Sequence, residues 1–148
     1  MDANGQHDVR WPRLILLILL LALLSACRQD TPEAALREKL AQMQTAASER
    51  RVAEFMEAVA SDFSGNAGID RAALHNMLRL QMLRNSAVGV SIGPLQIEIK
   101  GNSATVRMHV VLTGGSGTRL PDSAQAYAIT SGWRLEAGQW RVYYADWE

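Results

Sequence analysis

From Leu14 to Leu24 every side chain is apolar. A helix of that length rises only ~16 Å, well short of the ~30 Å hydrocarbon core of a bilayer. Arg10 and Arg13 precede the run and the small residues Ser25 and Ala26 close it. A basic flank, a short apolar stretch and a small-residue exit form a secretory signal rather than a membrane span. Beyond it the apolar positions take up helical spacing. Leu36, Leu40, Met43 and Ala47 share one face, behind Thr31 as a cap and Pro32 at the first helical position. The polar cluster Ser48-Glu49-Arg50-Arg51 interrupts this stripe, and Phe55, Met56 and Val59 resume it on a second, shorter helical segment. Ser61 to Ala67, with Gly65 and Asn66, reads as a loop. Asp70 then caps a third helix, with Ile69 and Leu74 spaced as a hydrophobic staple. That helix turns Leu74, Met77, Leu78 and Met82 inward and frays near Asn85.

After Ala87 the period drops from 3.6 to 2. Val88, Val90 and Ile92 alternate with small residues, Gly93-Pro94 breaks the run, and Leu95, Ile97 and Ile99 resume it. Gly101-Asn102 turns the chain into a long strand with Ala104, Val106, Met108, Val110 and Leu112 on one face. A glycine-rich connection spans Thr113 to Pro121. A further long strand covers about Ala124 to Leu135, and Glu136 to Gln139 turns into Trp140, Val142 and Tyr144. Helices first and an antiparallel meander afterwards is an α+β order, not the alternation of a doubly wound fold. The expected packing is a strongly curved antiparallel sheet wrapped over the helices like a cone, closing on them with Val106, Met108, Val110, Trp140 and Val142.

Composition narrows the function classes. Fifteen Lys+Arg balance fifteen Asp+Glu over 148 residues, so no net charge favours a phosphate backbone, and nucleic acid is not an expected partner. With 48% apolar residues the chain has the makings of a core. A single cysteine cannot form an internal disulfide, and an odd thiol in a secreted protein calls for another role.

The position of that cysteine supplies the role. Leu24-Ser25-Ala26-Cys27 resembles the lipobox of bacterial lipoproteins. The resemblance implies cleavage between Ala26 and Cys27, a diacylglyceryl group on the Cys27 thiol and acylation of its new amino group. Several chains together give the stable hold on a bilayer that one chain does not. The expected organisation is therefore a signal peptide at residues 1–26, the lipidated Cys27 and a short tether at 27–31, and a folded domain at 32–148. Arg28, standing after the cysteine where aspartate would retain the protein at the inner membrane, implies by the same resemblance an outer-membrane lipoprotein on the periplasmic face.

The order of elements over residues 32–148 resembles the nuclear transport factor 2-like superfamily of cone-shaped α+β domains. That likeness rests on the long first helix, a broken second helix ending in Ser61-Asp62-Phe63, the third helix, the phrase Val59-Ala60-Ser61-Asp62-Phe63, and the terminal strand pair around Trp133 and Trp140. The superfamily holds isomerases, cyclases, dehydratases, ligand binders and assembly modules, so the fold does not choose among them. Its isomerase branch implies a tyrosine donor on the first helix, where this chain has only Leu, Met, Phe and Ala on the inner stripe.

Asp62 is the carboxylate candidate for the cone mouth, against a reading as a solvated or capping aspartate. Tyr127 and Tyr143 lie on strands from which they could reach a pocket, against a reading as amphipathic core with a wet hydroxyl. Trp133, Trp140 and Trp147 suit core and rim packing, or an aromatic ligand site. Arg107 and His109 share the face opposite Val106 and Met108 and are expected outside. His75 has no histidine or cysteine at metal spacing, so neither metal nor cofactor is expected. Gly114-Gly115-Ser116-Gly117 lacks the Gly-Lys-Ser/Thr ending of a phosphate loop. The expectation is a non-enzymatic, membrane-anchored module binding a small apolar ligand or an envelope protein. The alternatives are a pocket enzyme of the isomerase, cyclase or hydrolase kind, and a structural, homodimerising envelope protein.

Overall fold

Thr31 opens the first helix by accepting the Ala34 backbone N–H on its hydroxyl at 3.1 Å, with Pro32 supplying the preset first residue. The computed structural model describes residues 31–115 and 123–148. The expected signal, the Ala26–Cys27 cleavage point, the tether and Ser116 to Pro121 of the glycine-rich connection lie outside the described residues, apart from Thr31 at the tether's end. Helix α1 (Pro32–Ser48) buries Leu36, Leu40 and Ala47 as its spacing predicts, and Met43 packs against the same core. It stops where Arg50 adopts a positive φ of 62°, a conformation side chains rarely take unless held. Here the Arg50 guanidinium holds it, donating to the carbonyls of Met82 at 2.5 Å and Ser86 at 3.3 Å. One residue thus ends α1 and ties down the far end of a later helix.

Helix α2 (Val52–Glu57) is the short second segment. The sequence reading goes astray just after it. Val59 does not continue a helix, and residues Ser61–Gly65 are not a loop: Val59–Gly65 is strand β1. It pairs in parallel with the final strand, Val59 facing Val142, Ser64 facing Tyr144 and Gly65 facing Ala145. Asn66 prolongs this pairing with its side chain, its amide donating to the Trp147 carbonyl at 2.5 Å and accepting the Trp147 N–H at 2.9 Å. A 3₁₀ turn (Asn66–Gly68) leads to helix α3 (Arg71–Arg84), whose cap is Asp70, bonded to the Ala73 N–H at 2.8 Å. Leu74 and Met82 are buried, and Met77 stays 38% exposed.

Strands β2 (Ala87–Ile92) and β3 (Gln96–Lys100) do not pair with each other, as a meander would require. Both run antiparallel to the same edge of β4 (Ser103–Gly115). Ile92 faces Val110 and Gln96 faces Arg107, so four steps on one side match three on the other. The Gly93-Pro94 break is therefore a bulge in one bent strand, and bulges of this kind curve a sheet. Thr113 to Gly115, expected in the connection, are strand instead, pairing with β2 and with β5 (Ser123–Glu136).

Strand β6 (Gln139–Trp147) completes the order β1-β6-β5-β4-β2, a curved and unclosed sheet. A second bulge falls where Gly132 faces Tyr144 and Trp133 faces Val142. It flips the alternation, so Tyr144, two positions after the inward Val142, is 41% exposed, and Tyr143 is outside as well. Gly132 is required there, because a Cβ on it would lie 2.9 Å from the Tyr143 ring. The inner face carries Val106, Val110, Trp133, Trp140 and Val142 onto the helices. The Trp140 indole N–H donates to the Pro32 carbonyl at 3.0 Å, pinning the start of α1 to β6. Among the described residues no helix is long and apolar enough to cross a membrane.

Candidate functional site

The bent sheet and the three helices do not meet everywhere. Between them lies a cavity of about 320 Å³, at the small end of the ~300–1,000 Å³ usual for ligand sites. Its floor is built from Leu40 of α1, Val59 of β1, Trp133 of β5 and Val142 of β6, all buried. Helix α3 supplies Leu74, Met77, Leu78 and Gln81 along one wall, and the alternating inner residues Met108, Val110 and Leu112 of β4 supply another. Met77 and Gln81 are exposed, which sets the open end between α3 and the far ends of β4 and β5. Met77 thus stands on the rim of the cavity, where it also meets an exposed groove along α3 with Leu80.

The chemistry of the lining is uniform. Among the described residues no Asp, Glu, His, Lys or Arg contributes to it, and the polar side chains are Gln44, Gln81, Tyr127 and Ser131, besides the indoles of Trp133 and Trp147. Ser131 is 2% exposed and bonded both ways: its hydroxyl donates to the Val106 carbonyl at 3.3 Å and accepts the Trp133 indole N–H at 2.9 Å. General acid–base catalysis needs a titratable group within hydrogen-bond reach of the reacting atom. Among the lining residues only the Tyr127 phenol is of that type.

The three pocket candidates separate cleanly. Tyr127 lines the cavity, its hydroxyl donating to the Gln125 side-chain carbonyl at 2.8 Å. Tyr143 does not reach it, being turned outside by the second bulge with the Arg134 guanidinium 5.3 Å above its ring. Asp62 does not reach it either. It sits on the outer side of edge strand β1, not at a helix end, and accepts two bonds from Arg134 at 2.5 and 2.9 Å. The hydrogen bonds from Arg134 hold the Asp62 carboxyl below its ordinary range. Arg134 also donates to Glu136 at 2.5 Å, which makes Asp62 one end of a surface ion network.

Asp62→Asn is therefore expected to shift the melting temperature by at most a few degrees at neutral pH, as for exposed ion pairs generally. A folded pKa below the unfolded value of about 3.9 means the pair stabilises above that pH and fades as the pH falls through the folded value. The gap between wild type and Asp62→Asn, followed by thermal melts, should be constant from neutral pH to about pH 5 and close below about pH 4. A larger gap at low pH than at neutral pH would show that Asp62 is not held by Arg134.

Arg107 and His109 face outward as expected, Arg107 paired with Glu98 at 2.7 Å. His75 lines a separate surface groove beside Arg71 and Asp70 rather than the cavity. Among the described residues no three His, Cys, Asp or Glu side chains come together as a metal site. Gln44 and Gln81 escape a reading based on apolar stripes. Their signal was present as polar residues inside an inward face, Gln44 four positions after Leu40 and Gln81 seven after Leu74.

Comparison with known proteins agrees with this geometry. The family model described as SnoaL-like domain matches residues 32–146. No curated protein matches the chain. Among solved structures, a candidate scytalone dehydratase from Novosphingobium aromaticivorans superposes with a TM-score of 0.69 at 15% identity, over 77% of this chain and 80% of that one. A nuclear transport factor 2-like protein with a cystatin-like fold, from the same species, gives 0.63 at 21% identity over 97% and 90%. Bd1075 of Bdellovibrio bacteriovorus gives 0.67 at 8% identity over 76% of this chain, which spans only 40% of the length of Bd1075. Identities this low speak for the fold alone.

Proposed function

Because the chain belongs to the SnoaL-like domain family, whose model covers residues 32–146, we propose that it is a lipid-anchored periplasmic protein whose cone binds a small apolar ligand without transforming it. The observation that carries this reading is the cavity: open at one end, lined mostly by apolar side chains, and bordered among the described residues by no carboxylate, imidazole, ammonium or guanidinium. Such walls favour an apolar guest through the area removed from water. Among the described residues they offer the Tyr127 phenol alone, without the carboxylate or imidazole partner that an acid–base pair needs. The same fold in the candidate scytalone dehydratase does not alter this, because function follows the site rather than the scaffold.

Anchoring rests on the sequence: Leu14–Leu24, the small exit residues and Cys27 in lipobox register support a lipoprotein held at the outer membrane. Protein purified from the cell envelope should carry a non-covalently bound apolar small molecule, visible by native mass spectrometry and extracted chemically unchanged after incubation. Turnover of the extracted compound by the purified protein would overturn the binding reading and make this an enzyme.

A further inference from the structure

The few polar groups of the cavity are unevenly placed. The deep one, Ser131, spends its hydroxyl on Val106 and Trp133. The others gather at the open end. Val90 faces Leu112 across β2 and β4, and Leu112 faces Gln125 across β4 and β5, so these three form one row about 10 Å wide. Gln44 reaches one end of that row, donating its amide to the Val90 carbonyl at 2.8 Å, and its own carbonyl oxygen accepts from no described residue. At the other end Gln125 stands two residues before Tyr127 on the same strand face, bonded to the Tyr127 hydroxyl at 2.8 Å. Gln81 enters the rim from α3.

We infer that the cavity selects uncharged ligands: an apolar body seated against Trp133 and Val142, with one neutral hydrogen-bonding head group such as a hydroxyl, carbonyl or carboxamide held at the rim by Gln44, Gln81 and Tyr127. The inference rests on the ligand-binding reading above and names its ligand class. Carboxamides offer both donors and an acceptor, so the rim meets either polarity of a neutral head group. A carboxylate or ammonium would give up water against apolar walls that hold no opposite charge among the described residues, a far larger penalty than an imperfect neutral hydrogen bond. With its proton given to Val106 and one lone pair to Trp133, Ser131 offers a deep head group a single lone pair at most, against several groups at the rim, which orients the ligand with its polar end outward.

The test uses four probes of matched length: octanamide, 1-octanol, octanoate and octylammonium, the last two charged at pH 7. Each is titrated into the full chain held in lipid nanodiscs, with empty nanodiscs subtracted, following the fluorescence of the cavity tryptophans Trp133 and Trp147 and the heat of binding. Octanamide and 1-octanol should bind at least about tenfold tighter than either ion. Gln81→Leu, at an exposed helix position, should weaken octanamide roughly 3–10-fold. Octanoate or octylammonium binding as tightly as octanamide overturns the selection for neutral ligands while leaving ligand binding in place. Unchanged octanamide affinity in Gln81→Leu overturns the placement of the head group. Failure of all four probes to bind removes the ligand-binding reading itself.

Discussion

Trp133→Ala is expected to lower the unfolding free energy by about 3–5 kcal/mol, the largest effect of any single core truncation here. Trp133 is 1% exposed, borders the cavity, and lends its indole N–H to Ser131 at 2.9 Å. Removing the indole adds its volume to a hole that already exists, so neighbouring side chains cannot relax into the space as they would around a close-packed site. The Ser131 hydroxyl keeps its bond to Val106 and loses its donor, a further and smaller cost. Against a total stability of about 5–15 kcal/mol, this should drop the melting temperature by roughly 10–20 °C. Added indole should recover part of the loss, because a ligand that binds only the folded state stabilises it by mass action. A drop of less than about 1 kcal/mol, or no response to indole, would mean that the cavity is not bounded as described.

Cys27→Ser is expected to abolish lipid attachment altogether and to leave the leader uncleaved. The acyl acceptor must be a nucleophilic sulfur, and a serine hydroxyl at the same place is far harder to deprotonate. The mutant would then keep its apolar leader, Leu14 to Leu24, in place of the acyl chains. Feeding cells a clickable fatty acid and comparing wild type with the mutant measures this directly. Equal label on both proteins would sink the lipoprotein proposal, while a mutant that is unlabelled yet shortened to the mature length would separate cleavage from lipidation.

Local pattern was enough for the elements whose partners are near in sequence or whose faces alternate cleanly. Helices α1 and α3 announced their caps at Thr31 and Asp70, and β4 its inner face from Ala104 to Leu112. Strand β1 was illegible for two physical reasons. Its ladder to β6 is irregular between Val59 and Ser64, so buried and exposed residues fall out of strict alternation. Its partner also lies about eighty residues away, beyond the reach of any window. With β1 mistaken for a helix end and a loop, Asp62 was placed at a mouth it does not border, since its true partner Arg134 is 72 positions distant. Tyr127 was legible because its strand alternates without interruption, whereas one bulge between Gly132 and Trp133 undid the same logic for Tyr144 and set Tyr143 beneath Arg134.

The parallel pairing of β1 with β6 also governs when the domain can form. Strand β6 stands between β1 and β5, and its Trp140 indole holds the first turn of α1. Strand β1 therefore finds its ladder partner only in β6, at the other end of the domain, whatever local helix forms earlier. Closure of so long a loop precedes any reward from the contacts it brings, and folds dominated by distant pairings reach the native state in milliseconds to seconds rather than microseconds. During synthesis the sheet cannot close until β6 has emerged, a window in which the chain is open to capture by a chaperone. Deleting β6 would remove the seam that joins the two ends of the domain, and with it the cooperativity of the whole transition.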